Sequence, residues 1–173
     1  MLCCIVMIKR KKTYLLHSLP HDFSSYTIEE IIDVYVPMRN GTSQLCICKR
    51  DKIYECIKTN ILQKWNNFLQ TEHTIGIDED EFDYLFTYLP YILQKKTYSF
   101  SPQKWVFYSI NIFEWNLLWL LTIDVCFANE SLMKKFIVPS FFSREITQNK
   151  KFFWSFLAQM KKCDVEQMFN ILY

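Results

Sequence analysis

The segment FEWNLLWLLTIDVCFA, residues 113–128, is the least polar stretch of the chain, and it constrains most strongly what the chain can fold into. Glu114 and Asp124 interrupt the apolar run, whereas a membrane-spanning helix needs about 20 largely apolar residues. An acid near the bilayer centre costs roughly 2.5–3.5 kcal/mol. We therefore expect no membrane span and place this segment inside a folded domain.

The same run predicts a helix, since its apolar residues do not alternate with polar ones and its flanks lack turn residues. Ser101 suits the N-cap and Pro102 the first helical position, so we predict one helix over residues 101–128. A helix that is apolar on nearly all sides belongs at the centre of a bundle. Its expected core residues are Trp115, Leu118, Trp119 and Phe127.

Composition indicates one ordinary domain, because the chain has 173 residues, of which half are hydrophobic. A net charge of +2 argues against a dedicated nucleic-acid-binding protein. Seven cysteines are an odd number, and the pairs Cys3-Cys4 and Cys46-Cys48 are too close for a disulfide framework, which favours a reducing compartment. We divide the chain into a basic N-terminal arm over residues 1–23, with 9–12 solvated, and a single helical domain over residues 24–173.

Three further segments predict amphipathic helices. Residues 27–36 begin with the capping-box spacing of Thr27 and Glu30. Residues 53–69 place apolar side chains at every fourth position, which favours a helix with one buried face. Residues 78–89 begin with acids that suit the positive end of a helix dipole. With three shorter helices after residue 128, we predict an all-α bundle of six to seven helices.

A β interpretation of residues 33–50 stays open as an alternative. Asn40-Gly41 suits a hairpin turn, and Leu45, Ile47 and Lys49 alternate with Cys46 and Cys48. A strand-rich domain of this kind would suggest a single-stranded-DNA-binding protein.

The sequence shows no pattern typical of a catalytic or metal site. His17 and His21 are four residues apart but lack the glutamate of a zinc-protease motif. Cys46 and Cys48 lack the second pair of ligands that a closed zinc site needs. We therefore expect no catalytic residue, no metal and no cofactor, and we interpret the chain as a non-enzymatic binding protein.

The order of segments resembles the poxvirus Bcl-2-like family. The resemblance rests on YTIEEIIDVYVPMRN, RDKIYECIKTNILQKW, GIDEDEFDYLFTYLP, the apolar central segment and FFWSFLAQMKKCDVEQMFNIL. It implies a Bcl-2-like helical bundle around the central helix. It also implies an intracellular viral virulence factor that evades host immunity by binding a host adaptor, kinase or helicase, which inhibits innate signalling towards NF-κB or interferon regulatory factors.

The alternative branch of that family inhibits apoptosis by binding BH3 helices in a groove. The glycine-arginine turn of that branch is absent at the central segment, so the signalling branch is preferred. The resemblance implies host cytoplasm as the location, with the nucleus as an alternative, and dimers form in some members. No nucleic-acid partner is expected.

A candidate interaction surface lies on the predicted helix 27–36. Helical geometry turns Val34 and Met38 away from the buried stripe, and charged residues surround them. The candidate surface consists of Glu29, Asp33, Val34, Met38 and Arg39.

Overall fold

The computed structural model describes residues 5–19, 26–37, 43–61, 69–118, 120–161, 163–164 and 167–168. These residues are mainly strand, so the all-α prediction is wrong. The strands are β1 (Ile5–Leu16), β2 (Thr27–Tyr35), β3 (Ser43–Arg50), β4 (Ile53–Ile61), β5 (Leu69–Gly76), β6 (Tyr91–Gln103), β7 (Val106–Phe113), β8 (Leu121–Phe127) and β9 (Phe142–Glu145).

Eight strands close into an antiparallel barrel in the order β5-β4-β3-β2-β6-β7-β8-β1. Pairing between β1 and β5 completes the circle, with Ile5 opposite Thr74. The later half of β1 pairs with β8, with Thr13 opposite Asp124. The short strand β9 adds to the end of β1. Closure leaves the eight barrel strands without free edges.

The segment predicted as a central helix forms the end of β6, then β7 and β8. In β8 the residues alternate strictly: Thr122 and Asp124 face one side, and Ile123 and Val125 face the other. Every residue from Thr122 to Val125 is buried, because the barrel covers one face and outer elements cover the other. Burial on both faces makes a strand predominantly apolar, which imitates a core helix at the sequence level.

The predicted helices 27–36 and 53–69 are also strands in their described parts. Thr27–Tyr35 is β2, and the second segment contains β4 and the start of β5. β2 and β3 pair antiparallel with Tyr35 opposite Cys46, as the β interpretation of residues 33–50 predicted. The four-residue spacing in 53–69 was misleading because residues four apart also lie on one face of a strand, so Ile53 and Ile57 of β4 fit either structure.

The first helix is where the sequence predicted one. Helix α1 (Glu79–Tyr88) begins with a complete capping box: the Asp78 side chain accepts from the Glu81 amide, and the Glu81 side chain accepts from the Asp78 amide. Phe82 of α1 is buried on the outer face of the barrel with Val34 and Ile47. This helix therefore covers the outside of β2 and β3.

Two other segments pack against the barrel. Helix α2 (Glu130–Lys134) and the residues that follow it cover the outer face of β1, β7 and β8, where Met133 and Phe142 are buried. A 3-10 turn (Lys150–Phe152) and helix α3 (Trp154–Leu157) pack against the apolar end of the barrel interior, so this C-terminal segment closes one end.

The expected solvated arm is instead part of the barrel. Residues 9–12 lie within β1, and Arg10 is paired on both sides, opposite Leu69 and opposite Phe127. None of the helices in the described part of the chain is long and apolar enough to cross a membrane.

Candidate functional site: a charged barrel lumen

The barrel encloses a cavity of about 260 Å³ that is lined by side chains at alternate positions of its strands. Alternate residues of a strand point to the same face, so each strand contributes its inward set. The charged residues of this lumen are Lys9, Lys11, Glu29, Asp33, Arg50, Glu72, Lys95 and Asp124.

Asp124 of β8 is the most highly connected acid of the lumen. Its Oδ1 accepts a 2.6 Å hydrogen bond from the Thr13 hydroxyl, and its Oδ2 lies 3.4 Å from both Lys11 Nζ and Asn111 Nδ2. Burial on its own would lower the pKa of Lys11, but Asp124, Cys126 and Glu72 together outweigh that effect, and the pKa is raised. Lys11 therefore keeps its positive charge although it is enclosed.

Lys95 of β6 and Asp33 of β2 form a second ion pair, with Nζ and Oδ2 separated by 2.9 Å. Both side chains are about nine-tenths buried. On its other side, the Lys95 ammonium lies 3.5 Å from the ring centroid of Trp154. A carboxylate and an aromatic face thus hold this cation together.

Two more pairs involve lumen cations. Lys9 Nζ lies 2.5 Å from Glu72 Oε2, and Arg50 Nη2 lies 3.7 Å from Glu55 Oε2. The cavity is lined by four cationic and four acidic side chains. The formal charges of the lining residues therefore cancel. Lys9, Lys11 and Lys95 each lie beside a lumen carboxylate, and Arg50 lies beside Glu55.

The thiols of the lumen are not suited to nucleophilic attack. Burial raises the pKa of Cys46 and of Cys48, and the nearby Asp33 raises both further. Burial and Asp124 likewise raise the pKa of Cys126. Because the thiolate is the reactive form, these residues are chemically quiet at neutral pH.

Among the described residues, no group of three or more His, Cys, Asp or Glu side chains is arranged to hold a metal ion. Three of the lumen acids, Asp33, Glu72 and Asp124, each face a lysine instead.

The residues of the candidate interaction surface are dispersed by the strand geometry. Glu29 and Asp33 point into the lumen, whereas Val34 is fully buried beneath α1. Val34 was expected to be exposed; it lies on the outer face of the barrel, but α1 covers that face, so Val34 is buried. Met38 and Arg39 lie outside the described residues.

The predicted core residues are divided in a similar way. Phe127 is buried in the cluster beneath α2, whereas Trp115 and Leu118 are exposed in the turn between β7 and β8. Trp119 lies outside the described residues. The β7–β8 turn falls in the middle of the expected helix, which explains why its apolar residues have such different surroundings.

Sequence reasoning missed the lumen lysines and the polar residues beside them. Lys9 and Lys11 were assigned to a solvated arm, and Lys95 was not considered. A signal was present: Lys9, Lys11 and Thr13 alternate with other residues, as do Lys95, Thr97 and Ser99. That signal is weak, because the outward residues between them, Arg10, Lys12 and Lys96, are charged as well.

Comparison with known proteins links the barrel to solved structures. No protein-family model matches the chain, and no curated protein matches it. The inorganic triphosphatase NE1496 aligns with a TM-score of 0.66 and 19% identity, over 88% of this chain and 95% of that one. The PH1012 protein of Pyrococcus horikoshii aligns with a TM-score of 0.56 and 16% identity, over 72% and 84% of the two chains.

A third structure, a candidate adenylate cyclase from Bacillus halodurans, aligns with a TM-score of 0.55 and 9% identity, over 83% of this chain and 98% of that one. These similarities place the chain in a fold class of closed antiparallel β-barrels. At such low identity they establish the fold and nothing finer.

The barrel overturns the resemblance to the poxvirus Bcl-2-like family. The immune-signalling function and the BH3-binding alternative were both derived from a helical bundle, and neither has support in this fold; the comparisons do not favour the DNA-binding alternative either. The prediction that the chain is not an enzyme rested on the lack of a catalytic pattern in the sequence. It is corrected as well, because structures that share the barrel include a triphosphatase.

Proposed function

We propose that the chain is a phosphoanhydride hydrolase whose lumen binds a short polyphosphate as its complex with a divalent cation. The observation that carries this proposal is the convergence of four cations and four carboxylates on one small cavity. Lysine ammonium and arginine guanidinium groups are the usual protein partners of phosphate oxygens.

The balance of charge in the lumen favours a ligand that carries both negative and positive charge. A bare polyphosphate entering the lumen would draw Lys11 from Asp124 and Lys95 from Asp33, which would leave two carboxylates unpaired. An uncompensated buried charge costs several kcal/mol. A divalent cation bound to the polyphosphate gives the released carboxylates a new partner, so the exchange of ion pairs becomes favourable.

The arrangement also suits the cation. Magnesium is usually held by one or two carboxylates together with phosphate oxygens and water, rather than by an all-protein cage. Asp33 and Asp124 would be its protein ligands, and the substrate would supply phosphate oxygens. The lack of a preformed three-ligand cluster among the described residues agrees with a metal that enters with its substrate.

Hydrolysis of a phosphoanhydride makes modest demands on protein chemistry. Catalysis of phosphoryl transfer depends mainly on positioning and on stabilising charge on the phosphate oxygens. Lys9, Lys11 and Lys95 would provide that stabilisation in this lumen, and no covalent nucleophile is required. The structural similarity to an inorganic triphosphatase supports the reaction class.

The size of the cavity limits the range of substrates that fit inside it. Pockets for drug-sized ligands usually occupy about 300–1,000 Å³, and this lumen has about 260 Å³. We therefore expect inorganic tripolyphosphate to be hydrolysed in preference to a nucleoside triphosphate, whose base and sugar would have to remain outside.

The test measures phosphate release from tripolyphosphate with magnesium and with excess chelator. Lys11→Gln should lower kcat/KM by about 10²–10³-fold, the loss expected when one stabilising contact to transition-state charge is removed. Lys58→Gln is the matched control, because Lys58 is exposed on the outer side of β4. Absence of phosphate release and of tripolyphosphate binding by the wild-type protein would overturn the proposal, as would equal activity of the two variants.

A further inference from the structure

Trp154 is the aromatic residue in closest contact with the cations of the lumen. It is the first residue of α3, and its ring lines the cavity from the end closed by the C-terminal segment. The Lys95 ammonium lies 3.5 Å from the ring centroid, and the Lys11 ammonium lies 5.3 Å from it. Both distances are within the range of a cation–π interaction.

The local structure fixes the position of this ring. Trp154 packs against Phe113 with ring centroids 5.3 Å apart. The preceding segment is joined to β1 by two backbone contacts of Thr13: its carbonyl accepts from the Ile146 amide at 2.8 Å, and its amide donates to the Thr147 hydroxyl at 3.0 Å. The ring is therefore part of the scaffold and not a loosely attached side chain.

The two partners of Lys95 behave differently when an anion enters. Asp33 carries a negative charge, so it competes with an incoming phosphate for the same ammonium. The Trp154 ring is neutral and attracts the ammonium through its quadrupole. An anion can displace Asp33 without repelling the ring, so the contact with Trp154 can persist in both states.

We propose that Trp154 is a positioning residue that holds Lys95, and more weakly Lys11, at the closed end of the lumen while these cations exchange a carboxylate for a phosphate of the substrate. This inference rests on the proposed function for the identity of the anion. Trp154 would touch no reacting atom and would act only through the two lysines.

The experiment combines a substitution series with a spectroscopic signature. Tripolyphosphate affinity is measured by calorimetry with magnesium for the wild-type protein, Trp154→Phe and Trp154→Leu. We expect affinity to decrease in that order, with a total loss of about 5- to 30-fold, since a desolvated cation–π contact is removed in steps. Phe156→Leu is the matched control, because Phe156 lies on the same short helix and is 44% exposed.

A second background separates positioning from a general structural effect. In a protein that carries Asp33→Asn together with Lys95→Gln, the Lys95 ammonium is absent. The effect of Trp154→Leu on tripolyphosphate affinity should then shrink to about twofold or less. Equal losses in both backgrounds would overturn the inference. Circular dichroism of every variant verifies that the barrel is retained.

The spectroscopic signature needs no ligand. The face of the indole should shift the Lys95 ε-methylene proton resonances upfield, and Trp154→Leu should remove that shift. Absence of the shift in the wild-type protein overturns the inference even if tripolyphosphate is hydrolysed. A wild-type protein that shows the shift but binds no polyphosphate overturns the proposed function, and with it the role of Trp154 in holding the anion's partners.

Discussion

Thr13 and Asp124 face each other across the β1–β8 pair, and the Thr13 hydroxyl donates a 2.6 Å hydrogen bond to Asp124 Oδ1. Thr13→Val keeps the shape of the side chain but leaves that carboxylate oxygen without its donor. We expect a loss of about 1–3 kcal/mol in the free energy of unfolding, measured by urea denaturation. Thr27→Val, at an exposed position of β2, is the control and should change stability by less than about 0.5 kcal/mol.

The ion pair of Asp33 and Lys95 gives a second prediction. Lys95→Met leaves Asp33 enclosed without its cation, and we expect unfolding to become easier by about 3–5 kcal/mol. The double variant Asp33→Leu with Lys95→Met should recover most of that loss, because no buried charge is left unpaired. A double variant that is as unstable as Lys95→Met would show that the pair is not enclosed as described.

Helix α1 provides a third prediction, which concerns packing alone. Phe82 is buried between α1 and the outer face of the barrel, with ring contacts to Tyr54 and Phe86. Phe82→Ala should lower the free energy of unfolding by about 3–5 kcal/mol. Tyr84→Ala, on the exposed side of the same helix, should have an effect below about 0.5 kcal/mol. Comparable losses in both variants would contradict the orientation of this helix.

Tyr35 gives a prediction on pH. Burial raises its pKa well above the ordinary value of 10.0, and Asp33 adds to the effect. Since the unfolded chain releases this proton near pH 10 and the folded chain retains it, the contribution of Tyr35 to stability is complete below pH 10 and declines as the pH rises further. The expected slope is about 1.4 kcal/mol per pH unit for one proton.

Tyr35→Phe should therefore make the loss of stability above pH 10 less steep. Cys46 and Cys48, whose pKa values are also raised by burial, remain in this variant and begin their decline near their ordinary value of 9.0. Urea denaturation at several pH values between about 8 and 11 measures the difference, with Tyr84→Phe as the exposed control. Parallel curves for Tyr35→Phe and the wild type would refute the burial of this hydroxyl.

The sequence predicted one element well because its signals were local. The capping box of Asp78 and Glu81 fixes the start of α1 through contacts only three residues apart, so no distant partner was needed to identify it. The strands gave no such local information. Ile31 and Ile57 have helix-like spacings from their apolar neighbours, but their burial is decided by strands distant in sequence.

The candidate site was even less accessible to sequence reasoning. Lys11 meets Asp124 only because β1 pairs with β8, and Lys95 meets Asp33 only because β2 pairs with β6. Before these strands pair, each is an ordinary charged residue of its segment. A basic run such as residues 9–12 is usually solvated, and the alternation within it acquires meaning only when both neighbouring strands are known.

The double pairing of β1 has a consequence for how the chain is made. Arg10 needs both Leu69 of β5 and Phe127 of β8 as backbone partners, so β1, the first of the barrel strands to be synthesised, is among the last to be fully paired. Contacts between residues so distant in sequence slow folding. Until β8 is synthesised, the nascent chain has an open sheet edge, and this interval is when the protein is most exposed to pairing with another chain.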